Sequence, residues 1–293
     1  MESVRELFGA QPAVNDDGSF SPSRVAMAMA VPDHTDYHEV DYPESARADG
    51  KRILVLCTEV GQLTCENGSV FATGNHPGEL FIVFLHLERA GFAIDLATPT
   101  GQPVPIESWA VPQKDDIVRS AMDRYADQLA KPLSMGDVLK GLDDDSPYVA
   151  VYVPGGHGAV LSVPDSPEAG GILRWFIAQD RYVVTICHGP AGLLSMTTVE
   201  DQPGFPLAGY HLAAFPDSSD KLLVVAGYLP GEMPYYFGER LRKLGVTIVN
   251  HLPIGSTHVD RKVLSGDSPF AANKLGEMTA HTLLESLAPA PKG

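Results

Sequence analysis

Apolar residues in this chain fall in short runs separated by turn residues. Lys51-Arg-Ile-Leu-Val-Leu-Cys57, Phe92-Ala-Ile-Asp-Leu-Ala97 and Tyr148-Val-Ala-Val-Tyr-Val153 are near-continuous runs of strand length, the pattern of strands covered on both faces. Between the first two, Pro77 suits the first turn of a helix over Gly78–Ala90, and Gly91 ends it. Strand, helix, strand in that order is a βαβ unit and so a parallel sheet. A further strand is expected at Tyr182–Ile186, where Val183, Val184, Thr185 and Ile186 all favour β structure. Helices are expected at Glu168–Gln179 and Glu232–Leu244, and strands at Leu207–Phe215, Leu222–Ala226 and Val246–Val249. A strand pair around Arg261–Leu264 follows, and Ser268–Gly276 opens a closing helix. The alternation predicts an α/β fold: an open, doubly wound, mostly parallel sheet with helices on both faces.

Two stretches break this rhythm. Residues 1–50 are rich in Pro, Asp, Ser and Tyr with weak periodicity, and read as an irregular extension packed on a body formed by 51–293. Residues 99–146 are punctuated by Pro103, Pro105, Pro112 and Pro132, with charged helical pieces around Asp115–Leu129 and Met135–Leu142. They read as an insertion packed over the sheet, serving as a lid.

Composition narrows the function classes. With 293 residues, 44% of them hydrophobic, and mean hydropathy near zero, the chain can bury a sizeable core. A formal charge of −16 disfavours nucleic-acid binding through phosphates. Three cysteines are too few for a disulfide framework, and a reducing cytoplasm is the expected location. The start of the chain has no basic region followed by an apolar core. The seven-residue run Val25–Val31 is too short to span a membrane. That run is either a packed segment or an adhesive surface for partners.

The chemistry gathers around Tyr182-Val-Val-Thr-Ile-Cys-His-Gly-Pro190. A β run meets a Gly-Pro pair opening a short apolar helix, so Cys187 stands at the apex of a strand-turn-helix corner. There a helix N-terminus favours a thiolate. The corner resembles a nucleophile elbow, with Thr185 where the first glycine usually stands. A buried cysteine in a packing joint is the alternative. His188 is a candidate base, and Asp217 the best-placed acceptor to orient it, with Asp220 and Asp201 left open by spacing. Pro154-Gly-Gly-His-Gly158 follows a strand directly; Gly155 and Gly156 could present N–H groups to an oxyanion or a thiolate. Glu79, in the first turn of its helix, either answers the helix dipole or faces Cys187. In an apolar site it would then be protonated and able to donate to sulfur. His76, Glu79 and His86 span too many turns to share one face as metal ligands.

Taken together, Gly-Asn-His-Pro before Glu79, Val-Pro-Gly-Gly-His-Gly, Thr-Ile-Cys-His-Gly-Pro-Ala, Ala-Phe-Pro-Asp217 and Gly-Asp-Ser-Pro-Phe-Ala-Ala-Asn273 resemble the ThiJ/PfpI cysteine superfamily. More narrowly they resemble its HchA-type branch, heat-shock chaperones also described as glutathione-independent glyoxalase (glyoxalase III) and protein deglycase. The resemblance runs from about Asp41 to the closing helix. It implies a flavodoxin-like fold with a smaller cap, and a homodimer. It also implies a nucleophilic Cys187 partnered by His188, Asp217 as third member, and Glu79 contacting the sulfur. Implied substrates are methylglyoxal and its early adducts on proteins, with unfolding proteins as chaperone clients and no cofactor. Metal ligands of the branch fall by spacing at Glu88, Ala93 and Tyr125, so no metal is expected there. Two other readings compete: a holdase chaperone whose cysteine is incidental, and a cysteine peptidase or amidase.

Overall fold

The computed structural model describes residues 10–31 and 33–289. Of the extension expected at 1–50, residues 1–9 and Pro32 lie outside the described residues, as do the side chains of Met29 and Ala30 in the Val25–Val31 run.

Seven strands form the central sheet: β1 (Arg52–Leu56), β2 (Ala93–Thr98), β3 (Leu133–Ser134), β4 (Tyr148–Val153), β5 (Tyr182–Ile186), β6 (Thr257–Asp260) and β7 (Val263–Gly266). Their order is β6-β7-β5-β4-β1-β2-β3. All neighbours are parallel except the β6–β7 hairpin. Alternate residues supply two cores. Leu54, Leu56, Val151, Val153 and Val183 pack on one face, against helix Pro167–Ala178. Ile53, Val55, Tyr152, Val184 and Ile186 pack on the other, against helices Pro77–Arg89 and Ala272–Ser286. Both faces are dry, which is why these strands read as continuous apolar runs.

The chain leaves β1 toward β2 on one side, while β4, β5 and β7 build outward on the other. The β1–β4 boundary is thus a topological switch point, where the carboxyl ends of the strands leave a crevice.

The extension is more ordered than its composition suggests. Ala13–Val14 pairs with Phe20–Ser21, which joins Val70–Ala72 and Gln62–Thr64 in a separate four-stranded sheet. Helix Arg24–Ala30 follows, started by the Ser23 hydroxyl, which accepts from the Ala26 N–H.

Segment 99–146, expected to be a lid, packs here as a wall of the sandwich. β3 continues the central sheet beyond β2. Helix Asp116–Arg124 buries Val118 and Ala121 in the core shared with helix Pro77–Arg89. Its charged residues lie on the opposite, solvated face, which gave the segment its surface-like composition.

Three other expectations change. Leu222–Ala226 is not a strand: helix Asp217–Val225 starts after Pro216 with Asp217 and Asp220 in its first turn, where carboxylates answer the helix dipole. Leu207–Phe215 contains only a two-residue strand, His211–Leu212, paired with Thr247–Ile248. The helix expected from Glu232 begins at Phe237, beyond Pro234, which a helix interior does not tolerate.

Candidate active site

Three of the parallel strands deliver the site. After β5 the backbone turns at Cys187 with φ 58°, and His188 leads into a 3-10 segment, Gly189–Thr197. The Cys187 N–H donates to Gly266 O, and the Phe215 N–H donates to Cys187 O. The elbow is therefore tied to β7 and to the segment before helix Asp217–Val225. Successive side chains on a strand point apart, but this turn brings His188 Nδ1 to 3.2 Å from Cys187 Sγ.

His188 Nε2 lies 3.1 Å from both oxygens of Asp220. Burial alone would raise the Asp220 carboxyl; the adjacent His188 and His157 imidazoles outweigh it and hold Asp220 down at about 2. An ionised carboxylate only accepts, so Nε2 carries the proton in a neutral His188 ring. Nδ1 is then left as an acceptor for the Cys187 thiol proton. The Phe215 ring stacks on His188 at 4.7 Å between centroids and fixes its plane.

Asp217, the expected acceptor, is engaged elsewhere. Its Oδ1 accepts from the Gly238 N–H at 3.0 Å and its Oδ2 from Arg242 Nη1 at 2.9 Å. It ties its own helix to helix Phe237–Lys243. Asp220, one turn further along the same helix, faces inward to His188 instead. The helix beginning at Asp217 was not expected, so spacing could not say which of its carboxylates faces the elbow.

Glu79 lies beneath the sulfur, fully buried in the first turn of helix Pro77–Arg89. His76 caps that turn, its Nδ1 accepting from the Glu79 N–H. Burial pushes the Glu79 carboxyl up to about 8, against a smaller opposing effect from Cys187. Near neutrality it is a neutral acid beside the thiol. Burial first, and then the Glu79 carboxylate when ionised, push the Cys187 thiol up. Both effects oppose the thiolate that the corner's place in the sequence suggests.

A cavity of about 170 Å³ opens over Cys187, His188, His157 and Gly156. Ala26, Leu223, Tyr228, Pro253 and Phe270 give it apolar walls, so its cover comes from the N-terminal helix and from helix Asp217–Val225. Of segment 99–146 only Glu107 reaches it. Gly156 is on the wall. Gly155 stands behind it, against Glu79 and the Cys187 Cβ, and is a packing position rather than a surface for substrate.

Two residues absent from the expected set join the site. Glu107 Oε1 accepts from the His157 N–H at 3.0 Å and from Thr73 Oγ1 at 2.8 Å, and burial pushes this carboxyl up. The His157 ring lies 4.3 Å from that of His188, its Nε2 3.4 Å from Asp220 Oδ1. His157 was in view within the Gly-Gly-His-Gly run. Glu107, in a proline-rich loop, carried no signal.

This geometry defines an α/β protein with an elbow cysteine backed by a His–Asp pair at the switch point of a doubly wound sheet. Residues 70–204 match the DJ-1/PfpI family. A Pseudomonas aeruginosa protein named protein/nucleic acid deglycase HchA is 42% identical over 275 residues, covering 93% of this chain and 94% of its own length. One of the same name from Escherichia coli is 40% identical over 286 residues, covering 98% and 99%. The chain belongs to the DJ-1/PfpI family, in its HchA-type branch. The solved glyoxalase III of Candida albicans shares the fold, with TM-score 0.61 at 19% identity over 79% of this chain and 97% of its own. So does the rapid encystment protein of Francisella tularensis, with TM-score 0.67 at 19% identity over 82% and 100%.

The metal position implied by the resemblance does not fit a metal. Glu88 accepts from Tyr125 Oη at 2.9 Å and from Arg124 Nη2 at 2.9 Å, and Ala93 offers no donor. A carboxylate already neutralised by an arginine is no zinc ligand set.

Proposed function

We propose that this chain is a cysteine-dependent glyoxalase and deglycase, acting on methylglyoxal and on its early adducts with protein amines, guanidines and thiols. The alignment of Cys187 Sγ, the His188 ring and Asp220 carries this reading. A free 2-oxoaldehyde adds Cys187 at its aldehyde carbon as His188 Nδ1 takes the thiol proton, giving a hemithioacetal. From an early lysine adduct the same attack releases the amine. A proton then moves from the former aldehyde carbon to its neighbour, leaving a lactoyl thioester. Water hydrolyses that ester to lactate and regenerates the thiol. The neutral Glu79 can donate to the developing oxyanion or to sulfur without placing a second negative charge beside it. These steps use protein groups and water.

The test is lactate formation from methylglyoxal without glutathione, wild type against Cys187→Ser. Turnover that vanishes in the variant supports the reading. Equal, negligible turnover in two folded proteins overturns it.

A holdase activity is the second reading, favoured by exposed Leu222, Val225, Leu252, Ile254 and Phe270, the last of which lines the cavity. Suppression of client aggregation by Cys187→Ala would separate it from the chemistry. We place the chain in the cytoplasm, as a homodimer. All three cysteines are free, and no helix among the described residues is long and apolar enough to cross a membrane.

A further inference from the structure

A second arrangement of donors exists at the centre of the site. Among the described residues, His157, His188 and Asp220 are a group whose ligand atoms all lie within 4.8 Å of one another. Nε2 of His188 and Nε2 of His157 stand 3.1 and 3.4 Å from Asp220 Oδ1. Metal–nitrogen and metal–oxygen bonds of about 2.0–2.2 Å in a tetrahedral site put neighbouring donors roughly 3.3–3.6 Å apart. Two of the three pairs are therefore close to ligand spacing, and the two ring nitrogens lie within 4.8 Å of each other.

Two observations point to a ligand. His157 Nε2 is buried and faces Asp220 Oδ1 at 3.4 Å without an aligned hydrogen bond, although its ring is held by Glu107 through the backbone and by the Phe71 and Tyr228 rings. A buried polar atom so weakly satisfied has room for a better partner. The rings of both histidines also line the cavity, which gives an ion a way in and leaves room for a water as fourth ligand. The surroundings favour a cation: Asp220 supplies a carboxylate, and among the described residues no lysine or arginine lines the cavity.

We propose that His157 Nε2, His188 Nε2 and Asp220 form a site for a divalent transition-metal ion such as zinc, reached through the cavity and exclusive of the Cys187 chemistry. Two imidazoles and one carboxylate suit zinc or cobalt better than magnesium or calcium, which prefer oxygen donors throughout. The exclusion follows from the tautomer. A metal on His188 Nε2 takes the lone pair that a proton otherwise occupies, so the remaining N–H moves to Nδ1 and faces the sulfur as a donor. The ring can then no longer accept the thiol proton.

The test is equilibrium dialysis of the intact chain against zinc chloride, with bound metal counted. Wild type and Cys187→Ser should each bind one ion per chain at this site. Since outer-shell partners alone are worth about 10–100-fold in affinity, losing a ligand in His157→Phe or Asp220→Asn should weaken binding at least about tenfold. Equal binding by both ligand variants overturns the proposal, as does loss of binding in Cys187→Ser. So does wild type that binds no zinc. Cobalt in wild type provides a check that needs no variant to fold: tetrahedral bands without a thiolate charge-transfer band support the His–His–Asp set, and a thiolate band overturns it. These arms use no substrate and stand apart from the glyoxalase reading. Where lactate formation is observed, it should fall in step with occupancy and return with a chelator. Unchanged turnover at full occupancy overturns the exclusion.

Discussion

Glu79 and Gly155 touch so closely that a Cβ on residue 155 would stand 2.2 Å from Glu79 Oε2, and 2.7 Å from the Cys187 Cβ. The glycine is what lets an acid and a thiol share one buried pocket.

Gly155→Ala should therefore displace the Glu79 carboxyl or the elbow itself. A misplacement of about 1 Å in a catalytic array costs roughly 100-fold, and kcat/KM for lactate formation should fall by that order. Overpacking should also cost about 1–3 kcal/mol of stability, read by urea denaturation. Wild-type kinetics in the variant would show that the contact is irrelevant to the chemistry.

The two aspartates of helix Asp217–Val225 should separate cleanly. Asp220→Asn removes the acceptor that sets the His188 tautomer, and kcat should fall on the order of 10³–10⁴-fold, by analogy with other acid–histidine pairs. Asp217→Asn loosens the Gly238 and Arg242 bonds, at about 1–3 kcal/mol of stability, and leaves kcat within a few-fold. The reverse pattern, in melting and steady-state kinetics, would restore Asp217 as the third member.

The buried acid should leave a signature in stability against pH. The Glu79 carboxyl sits at about 8 in the folded chain against an ordinary value of 4.5. Between those values the unfolded chain has lost a proton that the folded chain keeps. Folding is thus progressively disfavoured as pH rises, by up to about 1.4 kcal/mol per pH unit from this group. Glu79→Gln should remove that slope, so the difference in unfolding free energy between variant and wild type should change between pH 5 and 8. Parallel curves would mean that Glu79 ionises freely.

Alkylation should single out one cysteine. Cys187 lines the cavity, whereas Cys57 and Cys65 are buried away from it. Native protein treated with iodoacetamide should gain one adduct, seen by intact mass, and Cys187→Ser should gain none. Two or three adducts without loss of fold would mean that the core opens more readily than its packing implies.

How much of this was legible in the sequence depended on the scale of the signal. The strands were readable because both sheet faces are dry, so Ile53 and Leu54 alike had to be apolar. The elbow was readable because a β run met Gly189-Pro190 with a cysteine between. Asp220 over Asp217 was not, because the choice rests on which side of one helical turn meets His188. The β-like run Leu222–Ala226 concealed that helix. Leu222 and Val225, two of its apolar residues, lie at the surface, so hydrophobicity there did not mark a core strand. Glu107 was invisible for another reason: it enters the site from a loop whose path is fixed by distant contacts, including the pairing of Asn75 with Ile106.

The left-handed backbone at Cys187 carries a consequence for how the chain can change. A non-glycine residue there costs of order 1–2 kcal/mol relative to ordinary backbone, and β-branched residues cost more. Threonine is therefore a poor replacement nucleophile at this apex, while glycine would relax the turn and forfeit the thiol. Mutational drift and selection for thermostability both push position 187 toward inactive solutions. A stabilised library of this protein should thus be rich in folded, unreactive chains unless it is screened for chemistry at the same time.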